Sequence, residues 1–341
     1  NTPIQPNICV LENIKFETQE LNEYMNEVGR DLFTSPLHTT LTQFEESDNF
    51  GSLIQPALDD VEGIRSTLQE KDKSGSLFLK ATHDRVLKVL HQADYLRQKY
   101  HVVIANPPYM GGKGMNERLS VFAKDYFPDS KSDLFAMFME RTLQMTIRHG
   151  VMAMINMQSW MFLSSYEKLR AKLLSNSTLL TMAHIGERGF DTIGGAVVST
   201  SAFVFAKERY KDLLGHFARL VDGKNESEKL QLFLNIIYSQ NHNLLFRSST
   251  KNFENIPGNP ISYWATLGQK KAFAADGNFG EIASPKVGMQ TADNEKFLRL
   301  WYEVCSSKIS PKNKSCLEWV AYSKGGTFRR WFGNNEYVMH Y

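Results

Sequence analysis

The sequence predicts an α/β fold, with helices on both faces of a mostly parallel sheet. Short apolar runs alternate along the chain with longer amphipathic stretches, and this order requires crossover connections between parallel strands. The apolar runs show little polar alternation, which is typical of strands buried on both faces. The 341 residues correspond to about two domains. We therefore expect a parallel-sheet domain joined to a smaller unit.

The elements follow from local patterns, taken in chain order. Strands are predicted where β-branched, aromatic or other apolar residues adjoin, over residues 7–11, 41–44, 100–105, 151–156, 179–185 and 197–206. Helices are predicted where apolar residues recur every three or four positions, over residues 16–30, 57–73, 79–99, 117–127, 132–148 and 166–174.

Composition changes after the last predicted strand and suggest three regions. Residues 1–206 hold the alternating elements, and residues 207–280 read as a helical and loop-rich connection. This connection includes Pro257-Gly258-Asn259-Pro260, a turn-forming sequence. Residues 281–341 contain short strand-like runs separated by glycines, so we expect the start of a β-rich unit there.

The composition also excludes several classes of protein. Apolar residues make up 42% and charged residues 22%, as in globular rather than disordered chains. The three cysteines are far apart and form neither a disulfide framework nor a metal-ligand spacing, which favours a cytoplasmic location. The histidines form no metal-ligand cluster in sequence, so no metal site is expected. Without an apolar run of about 18 residues, no membrane span is expected.

Charge is distributed unevenly, although the formal net charge is only +2. Residues 1–70 contain three Lys or Arg against 13 Asp or Glu, whereas residues 281–341 contain nine against six, together with ten aromatic residues. A polyanion partner would prefer this last region. An ordinary solvated surface explains the same charges.

The segment Asn106-Pro107-Pro108-Tyr109 directly follows the predicted strand 100–105. In open α/β sheets, ligands bind beyond the carboxyl ends of strands. The two prolines make the backbone rigid and remove two N–H donors, so that mainly acceptors remain. Asn106 adds an amide and Tyr109 a flat ring. The alternative is a proline-rich turn with a packed tyrosine.

This combination suits a planar group that bears an amine. The nitrogen of an amine such as that of adenine is a poor nucleophile, because its lone pair is conjugated into the ring. Two acceptors that hold its two hydrogens would favour tetrahedral geometry and free the lone pair. Tyr109 would stack on the base, which is worth about 1–3 kcal/mol.

These residues resemble the motif of amino-group methyltransferases that use S-adenosylmethionine. Further stretches agree in order with this family, at residues 132–138, 150–155, 184–186 and 197–201. The sequence around the motif is similar to that of the large adenine-specific DNA methyltransferases of BREX-type phage-defence and type II restriction-modification systems. The similar stretches are residues 5–8, 51–56, 106–112 and 128–131.

The resemblance implies a Rossmann-like methyltransferase domain, followed by the start of a target-recognition region at residue 281. In that region Lys324, Arg329 and Arg330 would contact DNA phosphates. It implies S-adenosylmethionine as cofactor, contacted by Asp48, Phe50 and Asp133. Asp48 can instead be a turn residue, and Asp133 a helix cap. The implied reaction is transfer of a methyl group to adenine N6 in double-stranded DNA, with the adenine flipped out of the stack. Other subunits of the defence system are the implied protein partners.

One departure from the family pattern concerns the cofactor. We find no glycine-rich segment of the kind Asp-Pro-x-x-Gly-Ser-Gly before Asn106, nor a following acidic residue for the ribose hydroxyls. The chain therefore reads as an internal fragment, and we expect it to be inactive alone. Two alternatives stay open: a non-catalytic DNA-binding or scaffold module, and a methyltransferase that acts on RNA or on protein glutamine.

Overall fold

A computed structural model describes residues 5–28, 35–70, 77–191, 198–238, 242–273, 277, 279–284, 290–310 and 318–340. The chain divides into two compact units, a larger one of residues 1–274 and a smaller one of residues 275–341. Each unit has its own sheet.

The larger unit combines eleven described α-helices with six strands. Its helices are α1 Thr18–Val28, α2 Ser35–Gln43, α3 Ser47–Phe50, α4 Val61–Glu70, α5 Leu77–Arg97, α6 Glu117–Tyr126, α7 Leu134–Met145, α8 Glu167–Asn176, α9 Glu226–Tyr238, α10 Lys251–Glu254 and α11 Leu267–Phe273. Its strands are β1 Tyr100–Ala105, β2 Thr146–Met157, β3 Thr178–Gly186, β4 Thr200–Ala206, β5 Leu214–Arg219 and β6 Leu245–Ser249. None of the helices described in either unit has the length and apolar character needed to cross a membrane.

The six strands form one sheet in the order β1-β2-β4-β3-β5-β6. The pairs β1–β2 and β3–β5 are parallel. Strand β4 is antiparallel to both of its neighbours, and β6 is antiparallel to β5. The α/β class is confirmed, but the sheet is mixed rather than mostly parallel. Strand β4 can reverse because its short link from β3 contains no helix among the described residues.

Most predicted elements are confirmed, and β1 has the predicted bounds. The predicted strand at 7–11 is wrong, because Ile8 and Val10 are exposed and pair with no strand. The predicted strand at 41–44 is also wrong. Leu41 lies in α2 and Phe44 in a 3-10 turn, and both are fully buried. The predicted ends at residues 29–30, 71–73 and 197 lie outside the described residues.

The main core lies on one face of the sheet. Phe135 of α7, Met152 of β2 and Leu169 of α8 belong to one buried cluster there. On the other face, α9 covers β5, whereas Val102 and Ile104 of β1 are exposed. Helices therefore contact both faces, although the second face is open at β1.

A second apolar cluster joins α1, α2, α4 and α5 into a helical layer beside the sheet. The buried guanidinium of Arg141 on α7 links this layer to the sheet. Its Nε donates to the Ser52 carbonyl at 2.8 Å, and one terminal nitrogen donates to the carbonyls of Ile54 at 2.8 Å and Leu96 at 2.6 Å. Burial lowers the pKa of Arg141 to about 10, which leaves it charged at neutral pH.

The smaller unit contains the β-rich structure expected from residue 281 onward. Two short helices, α12 Phe279–Ile282 and α13 Asn294–Phe297, precede strands β7 Leu298–Leu300, β8 Ile309–Ser310, β9 Trp319–Tyr322 and β10 Tyr337–His340. The sheet order is β7-β10-β9-β8. Its core is small and consists mainly of Leu298, Val320 and Met339.

We predict that Arg141→Met lowers the free energy of unfolding by about 3 kcal/mol or more, because three buried carbonyl groups lose their donor. Urea denaturation followed by circular dichroism measures the change. Arg148→Met is the matched control, since Arg148 is exposed and its ion pair is with Glu208. Equal urea midpoints for the Arg141 and Arg148 variants would contradict the structural role of Arg141.

Candidate functional site

Strands β1, β2, β3 and β5 point the same way, so their carboxyl ends meet at one edge of the sheet. We call this edge the carboxyl edge. Asn106 follows β1, Gln158 follows β2, His184 lies near the end of β3, and Arg219 is the last residue of β5. Four polar or charged side chains therefore lie along the carboxyl edge.

The segment Asn106-Pro107-Pro108-Tyr109 occupies the β1 end of the carboxyl edge. Asn106 and Pro108 are exposed, whereas Pro107 is buried and Tyr109 is half-buried. The Tyr109 ring packs edge-on against Phe135, with centroids 6.2 Å apart and planes at 87°. Burial raises the pKa of Tyr109, so its phenol is neutral at pH 7. An accessible amide therefore stands beside a ring whose position is fixed.

Asp133 holds the loop after Tyr109 in place. Its Oδ1 accepts hydrogen bonds from the Met110 N–H at 3.0 Å and the Phe135 N–H at 3.3 Å. The Leu134 N–H donates to the Met110 carbonyl at 3.1 Å. Burial raises the pKa of Asp133, although the backbone donors oppose this shift. The helix-cap alternative for Asp133 is confirmed, and its contact with a cofactor stays a prediction.

A cavity of about 370 Å³ brings together residues that are distant in sequence. Asp48 and Phe50, the sequence-predicted cofactor residues, line it together with Pro108. Asp133 is not among its lining residues, but the adjacent Leu134 is. Phe50 also stacks on Phe122, at 4.2 Å and 9°. An exposed carboxylate beside apolar walls fits the ribose hydroxyls and flat base of a nucleoside.

The sequence analysis matched residues 184–186 to the family but did not predict the group of side chains around His184. The His184 ring is bonded on both nitrogens, Nε2 to Gln158 Oε1 at 2.5 Å and Nδ1 to the Tyr263 hydroxyl at 2.9 Å. Because an amide oxygen only accepts, Nε2 carries the hydrogen and Nδ1 accepts from Tyr263. Burial, reinforced by Arg219 and Lys229, lowers the pKa of His184 to about 4. The ring is therefore neutral at pH 7.

Two further aromatic rings surround this histidine. Trp264 is stacked on His184, with centroids 6.1 Å apart and planes at 23°. Phe162 lies 5.7 Å from Trp264, and the Arg219 guanidinium lies 5.4 Å from the Trp264 ring centroid. In sequence, these residues gave little signal beyond an aromatic pair after the turn at Pro260.

The predicted DNA contacts lie in the loop between β9 and β10 of the smaller unit. The Lys324 ammonium is 4.8 Å from the Tyr337 ring centroid, and the Arg330 guanidinium is 5.4 Å from that of Trp331. Arg329 is exposed, and so are Phe328 at 90% and Trp331 at 88%. The loop thus presents cations and flat rings together. Across the described residues, no three His, Cys, Asp or Glu side chains are grouped so that they could hold a metal ion.

The comparisons with known proteins agree on one family. Residues 14–190 match the family described as Eco57I restriction-modification methylase. The chain is 41% identical over 310 residues to the adenine-specific methyltransferase BrxX of Escherichia coli O9:H4 (strain HS), covering 89% of this chain and 25% of BrxX. It is 34% identical over 353 aligned residues to the adenine-specific methyltransferase PglX of Lacticaseibacillus casei (strain Zhang), covering 99% of this chain and 29% of PglX.

The chain therefore spans between a quarter and a third of the length of these relatives. Among solved structures, it overlaps a nuclease-deletion mutant of the type ISP restriction-modification enzyme LlaGI in complex with a DNA substrate mimic. The TM-score is 0.37 and the identity 15%, over 57% of this chain and 20% of that one. The assignment to a family depends on the sequence matches.

We predict that acidification destabilises the fold through His184. Between pH 6.5 and the folded pKa of about 4, the unfolded chain binds a proton at His184 that the folded chain excludes. The free energy of unfolding should fall as the pH drops through this window, by up to about 3 kcal/mol. Urea denaturation at several pH values measures it. His184→Gln should flatten the slope and exposed His101→Gln should not; equal slopes would contradict the assignment.

Proposed function

The chain belongs to the Eco57I restriction-modification methylase family, and we propose that it forms the base-binding part of a DNA adenine-N6 methyltransferase that uses S-adenosylmethionine. The observation that carries this proposal is the rigid Asn106-Pro107-Pro108-Tyr109 segment at the carboxyl edge. The names of two relatives, adenine-specific methyltransferases at 41% and 34% identity, support it.

The proposed chemistry starts with the target amine. The Asn106 amide oxygen and a neighbouring backbone carbonyl accept its two hydrogens, so the nitrogen lone pair is released from the ring. When bound, S-adenosylmethionine would supply an electrophilic methyl group on a positively charged sulfur, which leaves as a neutral thioether as the nitrogen takes the methyl group. Because the acceptors are fixed before the reaction, they favour the developing charge on nitrogen without reorganisation. The displaced proton leaves to solvent.

We propose the cavity of about 370 Å³ next to this segment as the site of the cofactor's nucleoside, because its lining includes Asp48 and Phe50. Asp48 would accept from the ribose hydroxyls, and Phe50 would contact the base. Asp133 would influence the base site and the cavity indirectly. It fixes the loop at Met110, which is bonded to Leu134, and both of these residues line the cavity. This arrangement gives each predicted cofactor residue a role without requiring Asp133 to touch the cofactor.

The substrate is proposed to be double-stranded DNA. An adenine amine is out of reach inside the stack, so the base must be flipped into the site, where Tyr109 stacks on it. Lys324, Arg329 and Arg330 would contact phosphates, and the exposed rings beside them would contact bases. Other subunits of a phage-defence system are the proposed protein partners, and the cytoplasm is the compartment that this function requires.

We predict that Asn106→Ala in the complete protein lowers kcat/KM for methyl transfer at least about 100-fold, because the amine loses an acceptor in the transition state. Transfer of labelled methyl groups to DNA measures the rate, and gel shift measures DNA binding, which should persist. Asn176→Ala, at an exposed helix end, is the matched control. A rate above about a tenth of wild type, a barrier change under about 1.4 kcal/mol, would contradict the role.

We predict that the Tyr109→Phe variant retains methyl transfer and that the Tyr109→Ala variant loses it. Stacking depends on the face of the ring, and the hydroxyl is not needed for it. Loss of one stacked base corresponds to about 1–3 kcal/mol. The fluorescence of 2-aminopurine at the target position measures stacking directly. If the alanine and phenylalanine variants gave the same activity and fluorescence, stacking by Tyr109 would be disproved.

A further inference from the structure

We propose that Phe162 and Arg219, which both contact Trp264, form a stacking platform for a second nucleobase of the bound DNA, one that is unstacked from the duplex and lies outside the target-base pocket. The inference rests on the proposed function for the identity of the partner. The site itself is inferred from the geometry of Phe162, Arg219 and Trp264, none of which was predicted from the sequence as a site residue.

The platform presents a flat ring and a cation to solvent. Phe162 is 37% exposed, and the Arg219 side chain is 30% exposed. Both contact Trp264, Phe162 at 5.7 Å between centroids and Arg219 at 5.4 Å. The acidic neighbour of Arg219 is Asp222, whose carboxylate is 3.9 Å away and mostly exposed, so the ion pair is weak. Nucleic-acid bases stack on aromatic rings and on arginine planes in this way.

The platform is rigid because its support is buried. Trp264 is stacked on His184, and both ring nitrogens of His184 are hydrogen-bonded. Tyr263, which donates to His184, is itself stacked on Phe217 at 4.9 Å and 9°. A surface ordered in advance loses little side-chain entropy when a ligand binds. Such support is unnecessary for an aromatic ring that merely fills surface space.

The position of the platform separates it from the target pocket. Trp264 is stacked on a residue of β3, which is three places from β1 in the sheet. At about 4.8 Å between strands, this is roughly 14 Å from the strand that precedes Asn106. Successive stacked bases are about 3.4 Å apart. The platform therefore meets a different nucleotide from the one that Asn106 would hold.

The test compares binding of fluorescein-labelled DNA to the 341-residue chain by anisotropy. The probes are a single-stranded oligonucleotide of about 12 bases, the length of one stacking site, and an abasic strand of the same length and charge. We expect Phe162→Leu and Trp264→Ala to weaken binding of the intact strand at least about fivefold. Binding of the abasic strand should already be weak and should change little. Trp264→Phe should restore binding.

Phe162→Leu keeps an apolar side chain of similar volume, so its effect does not depend on unfolding. The matched control is Tyr210→Ala. Tyr210 is 39% exposed, and its backbone N–H donates to the Thr178 hydroxyl at the start of β3. Tyr210 therefore lies at the edge of the sheet opposite the carboxyl edge. Wild-type binding by the Phe162 variant, equal binding of intact and abasic strands, or no binding of either strand would each overturn the platform.

The same experiment separates the platform from the proposed function. Asn106→Ala should lower methyl transfer by the complete protein at least about 100-fold, whereas Phe162→Leu and Trp264→Ala should weaken oligonucleotide binding by the chain. If the complete protein methylates no DNA but the platform variants lose binding, the function fails and the platform stands. If Asn106→Ala abolishes methylation and the platform variants bind like wild type, the platform alone fails.

Discussion

One carboxylate oxygen of Asp133 holds two parts of the site together, the loop after Tyr109 and the start of α7. It accepts from Met110 and Phe135, and Leu134 returns a bond to Met110. Phe135 in turn supports the Tyr109 ring, and Leu134 lines the adjacent cavity. Because the carboxylate is buried and its bonds go to backbone groups, it fixes distances on both sides at once. The proposed base site and the proposed nucleoside cavity therefore share one anchor.

The directions of the strands determine which other side chains share the carboxyl edge with the segment that Asp133 anchors. Although β4 is antiparallel, its two neighbours β2 and β3 both run parallel to β1, so their carboxyl ends remain on one edge. Strand β5 extends the edge as far as Arg219. Arg141 ties α5 and the segment that directly follows Asp48 and Phe50 of α3 to the helix that begins at the anchor. Fold and site thus depend on a few buried polar contacts.

The sequence was most informative where a single local pattern decides the structure. The bounds of β1 were predictable because a β-branched run ends at two prolines, which cannot continue a ladder. The prediction for residues 41–44 failed because Leu41 and Phe44 are three positions apart, a spacing that places both on the buried face of a helical segment. Strands β5 and β6 were missed because they carry Gly215, His216 and Arg247 among their residues. The group around Trp264 comes from separate segments, and no local pattern reports contacts between them.

Charge along the carboxyl edge changes from the β1 end to the β5 end. Residues 1–70 contain 13 acidic and three basic side chains, and Asp48 of this region lies at the cavity beside Pro108. At the other end, burial lowers the pKa of His184, an effect that Arg219 and Lys229 reinforce, so the neutral histidine lies beside the half-buried Arg219 guanidinium. A cofactor with a positively charged sulfur would be favoured beside Asp48, whereas the β5 end is of mixed charge, because Asp222, Glu187 and Glu228 act on Lys229 there. The proposed base platform would therefore depend on stacking and on the Arg219 guanidinium itself rather than on a general excess of positive charge.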